Sequence, residues 1–185
     1  MNTYPIVVFL HLVGMVGLFI GYGLEWTAST LLRGAKTAGE ARSWLRIYRL
    51  SLPVSGPGLL LLILTGGYMA GVGHLGPAGW VMGAWIGIAV ALIIGFGLLL
   101  PRLKKVRAAL PAEGTAALSG EALGRVQDPV LTTLIRARVM LALGIVYLMT
   151  AKPADLATAL IVLVVALALG ALGAAATWSR GTARV

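Results

Sequence analysis

Few side chains in this sequence can do chemistry, and they fall into two groups. The first is built on the only two histidines, His11 and His74. Met15 follows His11 at i,i+4 spacing, which places both on one face of a helix. Met1, Met69, Met82 and Met149 sit, like the histidines, near one end of long apolar segments, and Met140 lies towards the other end. Imidazole nitrogen together with thioether sulfur suits Cu(I) or a haem iron. The same thioethers also fill irregular apolar gaps with no ligand role. The candidate metal ligands are His11, Met15 and His74. The second group is ionic and consists of Glu25, Arg136 and Arg138. An arginine inside an apolar segment must snorkel, pair with a carboxylate such as Glu25, or hold an anionic ligand group. In that last role Arg136 and Arg138 join His11 as candidate cofactor-binding residues, taking haem propionates or a lipid phosphate.

Much other chemistry is excluded. Cysteine is absent, so there is no thiol nucleophile and no thiolate metal site. There is no P-loop, no dinucleotide fingerprint after a strand, no H-E-x-x-H and no nucleophile elbow. The catalytic residues, if the chain is an enzyme, are therefore unknown. The apolar segments lack acidic residues, which argues against a proton relay or an ion-coupled transport site.

The elements that must position these groups follow from composition. Of 185 residues, 59% are hydrophobic and 11% charged, and the mean hydropathy is +0.94. A soluble domain carries roughly a quarter charged residues. The composition instead predicts an all-α integral membrane protein, a single membrane domain over 1–185. Five segments hold the roughly 20 apolar residues a span needs: 6–24, 52–72, 80–100, 129–150 and 156–178. Pro5, Pro53 and Pro57 suit helix starts, Pro101 a stop, Asp128-Pro129 an N-cap with proline in the first turn, and Asp155 a further cap. The first span has no Lys or Arg before it and is expected to stay in the mature protein.

Charge sets the orientation. The net charge is +9, from 15 Lys+Arg against 6 Asp+Glu. Segments 25–51 and 101–138 and the residues after 178 carry the cations, and the connections 73–79 and 151–155 hold only Lys152. The positive-inside rule makes the basic side cytoplasmic, giving N-out/C-in. The lipid bilayer is the expected partner, and no Arg-rich helix with interleaved aromatics appears outside the membrane-flanking loops to speak for nucleic acid. Tyr4, Tyr68, Trp80, Trp85 and Tyr147 at the outer ends, with Tyr22, Trp26 and Trp178 at the inner, form the aromatic belts. With the fourth helix starting at Pro129, only Val139 to Thr150 is free of charge. That is about 18 Å of a roughly 30 Å core, so an arginine enters the membrane. His11 lies roughly 8 Å below the outer interface.

Two cytoplasmic segments carry further expectations. Glu40 to Leu50 reads as a short basic amphipathic helix, on the leaflet or extending a neighbouring span. Residues 108–128, rich in Ala and Gly with Thr115 and Ser119 as caps, are expected to be the most mobile region. Gly17-xxx-Gly21, Gly67-xxx-Gly71 and Gly83-xxx-Gly87 provide small-residue faces, for packing within the bundle or for a homodimer.

Two stretches resemble a loose superfamily of small bacterial inner-membrane proteins. It includes the HemJ-type protoporphyrinogen oxidases, the CopD-type copper-resistance proteins and relatives of unknown function. Leu10-His11 with Val16, Phe19 and Gly21 looks like the HemJ-type first helix, where a histidine precedes a Trp-Phe-Ala-Gly stretch. Arg138 through Leu143-Gly144-Ile145-Val146-Tyr147-Leu148-Met149-Thr150-Ala151-Lys152-Pro153 looks like the last HemJ-type helix, from an arginine to a terminal Lys-Pro. The resemblance covers the first four spans and implies that His11 is a haem axial ligand and Arg138 functional. Leu18 stands where the HemJ type has tryptophan, the Asn-Glu pair after the arginine is missing, and a fifth span is added. The relatives of unknown function, which share the His-x-x-Gly opening, look closest.

The resulting expectation is a site at His11 that holds haem b or copper from the outer side. The alternatives are a packing or assembly subunit with no cofactor, and a HemJ-like protoporphyrinogen oxidase. The topology is tested by a reporter after Gly76, which should read outside, and one after Glu113, which should read inside; the same compartment for both would overturn the crossing by the third span that separates them.

Overall fold

Helix α1, Tyr4–Arg33, carries Pro5 in its first turn, where the missing N–H costs no helical bond. Helix α2 runs Ala38–Val72. Thr37 caps it, its hydroxyl accepting the Glu40 N–H at 3.3 Å, while the Glu40 carboxylate accepts the Lys36 N–H at 2.7 Å. The basic segment Glu40–Leu50 is thus the start of α2. Pro53 and Pro57, expected to open a span, lie inside the helix. Each ring deletes one donor, but breaking the helix among apolar neighbours would strand several backbone groups at once.

Helix α3 runs Gly79–Ala109 and passes Pro101 as well. Its turns over Ile93–Leu99 are π-helical, and the Leu100 N–H donates to the Gly95 carbonyl five residues back. A proline in regular α-helix collides with the carbonyl four residues earlier, and the wider turn relieves that collision. Helix α4 is Gly120–Val126 and α5 is Pro129–Ala151. Asp128 caps α5, its Oδ1 accepting the Val130 N–H at 2.9 Å. Helix α6 is Leu156–Thr182. Its cap Asp155 accepts the Thr158 N–H at 2.7 Å and hydroxyl at 2.8 Å, which holds the carboxyl below its ordinary pKa. The computed structural model describes the backbone of residues 3–182 and the side chains of residues 3–176. Met1 of the methionine group, and the side chains of Trp178 and Arg180 and the whole of Arg184 from the topology argument, lie outside the described residues.

α1 lies along α2, α5 lies along α6, and α3 packs against both α5 and α6. The two groups meet where α1 touches α5, around Leu18, Tyr22 and Ala142. The larger core joins α3, α5 and α6 to the basic end, through Leu99, Val106, Val126, Leu131, Ile135 and Leu141. Phe9, Val16, Leu60, Leu64, Phe96, Ile161 and Leu172 point outward and stay exposed. Five helices are long and apolar enough to cross a membrane, and no strand occurs among the described residues.

The segment expected to be most mobile is docked. Ala38 N–H donates to Ala116 O, Gly39 N–H to Gly114 O and Leu118 N–H to Lys36 O, at 3.0, 2.8 and 2.9 Å. Arg42 donates to the Pro111 carbonyl. Leu110, Leu118, Ala122 and Val126 are buried beneath it. Those few apolar side chains anchor a stretch whose composition alone reads as loose. Ser119 precedes α4 but its side chain makes no cap bond.

Small residues set the helix spacing. A Cβ on Gly14 would lie 2.9 Å from Gly58 O, and one on Gly58 would lie 2.7 Å from Leu18 N. Gly21 faces Ser55 and Ser51 of α2, and Gly83 and Gly87 face α5 and α6 through Leu148, Ala159, Ile145 and Leu163. The first and third small-residue faces are therefore filled within the chain. Gly67 meets Trp85 at ordinary contact distance, and Gly71 has nothing within 4 Å. Gly58→Ala should destabilise the α1–α2 pair by roughly 1–3 kcal/mol, because backbone on both sides cannot yield. Gly56→Ala, with open space around it, should be close to neutral. Unfolding in detergent reads the difference; equal effects would refute the close crossing.

Candidate functional site

The ionic group forms a cluster at which all five long helices meet. Arg138 of α5 donates through Nη2 to Glu25 Oε2 of α1. Both are buried, at 9% and 4% exposure. The Ser51 hydroxyl of α2 lies within donating distance of two acceptors, Glu25 Oε1 at 3.0 Å and the Tyr48 carbonyl at 2.7 Å. The guanidinium carbon lies 4.7 Å from the centroid of the Tyr22 ring, within reach of its negative face. From α3, Gly95 comes so close that a Cβ there would lie 2.5 Å from Arg138 Nη1. Arg136, two residues earlier, lies 4.9 Å from the Trp26 ring centroid and donates to the Gly173 carbonyl of α6 at 2.5 Å. The Nε of Arg138 is buried without a hydrogen-bond partner.

Of the residues singled out from sequence, the structure joins Arg138 to Glu25 directly. That is the pairing alternative, and it engages the arginine from inside the chain. Ser51 and Gly95 were missed. Ser51 looks like a boundary residue in sequence, and only the helix running through Pro53 carries it into the bundle. Gly95 is one of 25 glycines; the signal that could have marked it is the Gly-Phe-Gly run shortly before Pro101, a place where a helix has to widen.

His11 forms the second locus, at the end of the bundle away from the basic segments. Its Nδ1 lies 2.8 Å from Thr65 Oγ1 of α2. The Thr65 hydroxyl lies 2.5 Å from the Leu61 carbonyl; with its proton on that carbonyl, its oxygen accepts from Nδ1–H, and Nε2 of the neutral imidazole carries the lone pair. Nε2 has no hydrogen-bond partner among the described residues. Gly66 makes room for the ring, since a Cβ there would lie 3.2 Å from Cε1. Met15 shares this face and is half-buried like His11.

Other predicted partners are not brought to His11. His74 is exposed in the turn after α2, at φ 52°. α2 ends at Val72, seven positions and about 10 Å of helix rise past Thr65, and His74 follows two residues later, beyond the level of the His11–Thr65 contact. Glu25, which holds Arg138, lies about 21 Å along α1 from His11. No group of three His, Asp or Glu able to hold a metal occurs among the described residues.

The ion pair makes a sharp prediction. Glu25→Gln or Arg138→Met alone leaves a buried partner uncompensated and should cost about 3–5 kcal/mol in detergent unfolding. Glu25→Leu combined with Arg138→Met should recover most of that loss. A double variant as unstable as the sum of the singles would show that the two groups do not act as a pair. No family model, no curated protein and no solved structure matches this chain.

Proposed function

We propose that the chain is a multi-pass protein of the bacterial cytoplasmic membrane, crossing five times with its basic end in the cytoplasm, and that it binds haem b or copper through His11 near the outer face. The observation that carries the reading is the Thr65-fixed imidazole with its open Nε2. A metal-ligating histidine characteristically donates its other ring N–H to an oxygen that orients it, and Thr65 is placed for that role. The resemblance of the Leu10-His11 stretch to haem-linked membrane proteins points the same way.

Haem is favoured over copper by the donor set. A single axial nitrogen suffices for haem iron, which would supply a redox or ligand-binding centre. Copper would have to use His11 and Met15 without His74, and complete its coordination from outside the chain. Thr65 fixes the tautomer and ring plane, Gly66 admits the ring, and the Glu25–Arg138 pair holds α1 in register with α5. Protoporphyrinogen oxidation has less support, because Leu18 fills the α1–α5 contact where the HemJ type carries tryptophan.

A packing or assembly subunit without cofactor is the second reading. It is favoured by the ionic cluster, in which Glu25, Tyr22, Trp26 and Gly173 already engage both arginines. An absorption spectrum with metal analysis on protein purified from its own membrane separates the two. The first reading expects a Soret band or near-stoichiometric copper, lost in His11→Ala and weakened about 10- to 100-fold in affinity by Thr65→Val. Wild-type protein with neither signal would overturn it in favour of the second.

A further inference from the structure

At the basic end, α3, α4 and the start of α5 form a half-open cavity of about 180 Å³ whose wall includes Gly97, Leu98, Arg102, Lys105, Arg125 and Asp128. A second cavity of about 410 Å³ shares Arg102, Arg125 and Asp128 with it. The one carboxylate of the first cavity is committed. Asp128 Oδ1 accepts the Val130 N–H, and Oδ2 accepts Arg102 Nη1 at 3.1 Å. Arg102 and Asp128 thus balance one another. Arg125 reaches Glu121 only at 3.4 Å, with both side chains exposed, and Lys105 is exposed with no ion pair among the described residues. The surplus charge facing the cavity is positive.

The cavity also spans a change of polarity. Gly97 and Leu98 belong to the uncharged length of α3, next to exposed Ile93 and Phe96. Lys105 lies about 10 Å further along the helix, a distance comparable with the headgroup layer of one leaflet. At Gly97 the helix surface is open, since a Cβ would meet only Ile93, at 3.9 Å. The cations therefore stand at phosphate depth and the apolar wall at the depth of glycerol and the first acyl carbons.

We propose that this cavity binds the phosphate of an anionic phospholipid between Lys105 and Arg125, with its apolar end against Gly97 and Leu98. The adjoining apolar wall favours a lipid over free phosphate. The proposal rests on the membrane reading above, and is independent of any cofactor at His11.

Native mass spectrometry of the full chain from micelles holding equal phosphatidylglycerol and phosphatidylcholine tests it. Wild-type protein should retain phosphatidylglycerol preferentially. Lys105→Gln and Arg125→Gln should each reduce the preference about fivefold, and Lys105→Arg should keep it. Lys104→Gln, exposed and outside the cavity wall, should leave it unchanged. No preference in the wild type, or an equal loss in Lys104→Gln, overturns the site in favour of diffuse attraction. Displacement of the lipid by millimolar inorganic phosphate overturns the lipid assignment in favour of a free anion. A chain that fails to fractionate with membranes overturns the membrane reading itself, whereas one that does so without a lipid preference overturns only this site.

Discussion

A guanidinium inside an apolar bundle has to be answered by the chain itself, and the rest of this structure is arranged around that requirement. Arg138 and Glu25 are 113 positions apart in sequence, and only a packed tertiary structure brings them together. Once paired, they draw in every long helix. α1 supplies Glu25, Tyr22 and Trp26, α2 supplies Ser51, α3 supplies Gly95, and α6 supplies the Gly173 carbonyl to Arg136. The cluster ties α1 and α2 to the other three helices, which otherwise contact them sparingly. A buried pair of this kind gains little over apolar packing of the same volume, but losing one member is costly. Its contribution is to register and specificity.

The backbone around the cluster bends to serve it. Prolines that read as boundaries lie inside helices, because an apolar surrounding penalises an exposed backbone group more than it penalises one missing donor. In α3 the π-helical turn absorbs Pro101 and shares the stretch in which Gly95 approaches Arg138. The same stretch leaves Gly97 uncovered beside the basic cavity. One local irregularity therefore shapes two sites on opposite sides of a helix end.

His11 obeys the same accounting of polar groups with a different outcome. Thr65 satisfies Nδ1 and passes its own proton to the backbone, so the second ring nitrogen is left with a lone pair and no partner in the described residues. A structural histidine in an apolar bundle needs one partner to be tolerated. The contact of His11 with Thr65 is made across the α1–α2 seam.

The residue order by itself determined the all-helical class and the number of long apolar helices, because those depend on composition summed over some twenty residues at a time. It also marked His11, Glu25, Arg136 and Arg138, since an ionisable group in an apolar run stands out without any knowledge of its neighbours. The helix ends at Pro53 and Pro101 were misread, and the docking of segment 108–128 onto α2 was not foreseen, because local breaker and composition signals carry no information about what the rest of the chain stacks against them. Ser51, Gly95 and Thr65 are common residue types whose roles exist only through contact. Tertiary structure alone decided that Arg138 meets Glu25, that Thr65 meets His11 and that His74 does not, because pairing between helices depends on rotation and depth, and neither is written in the spacing along one chain.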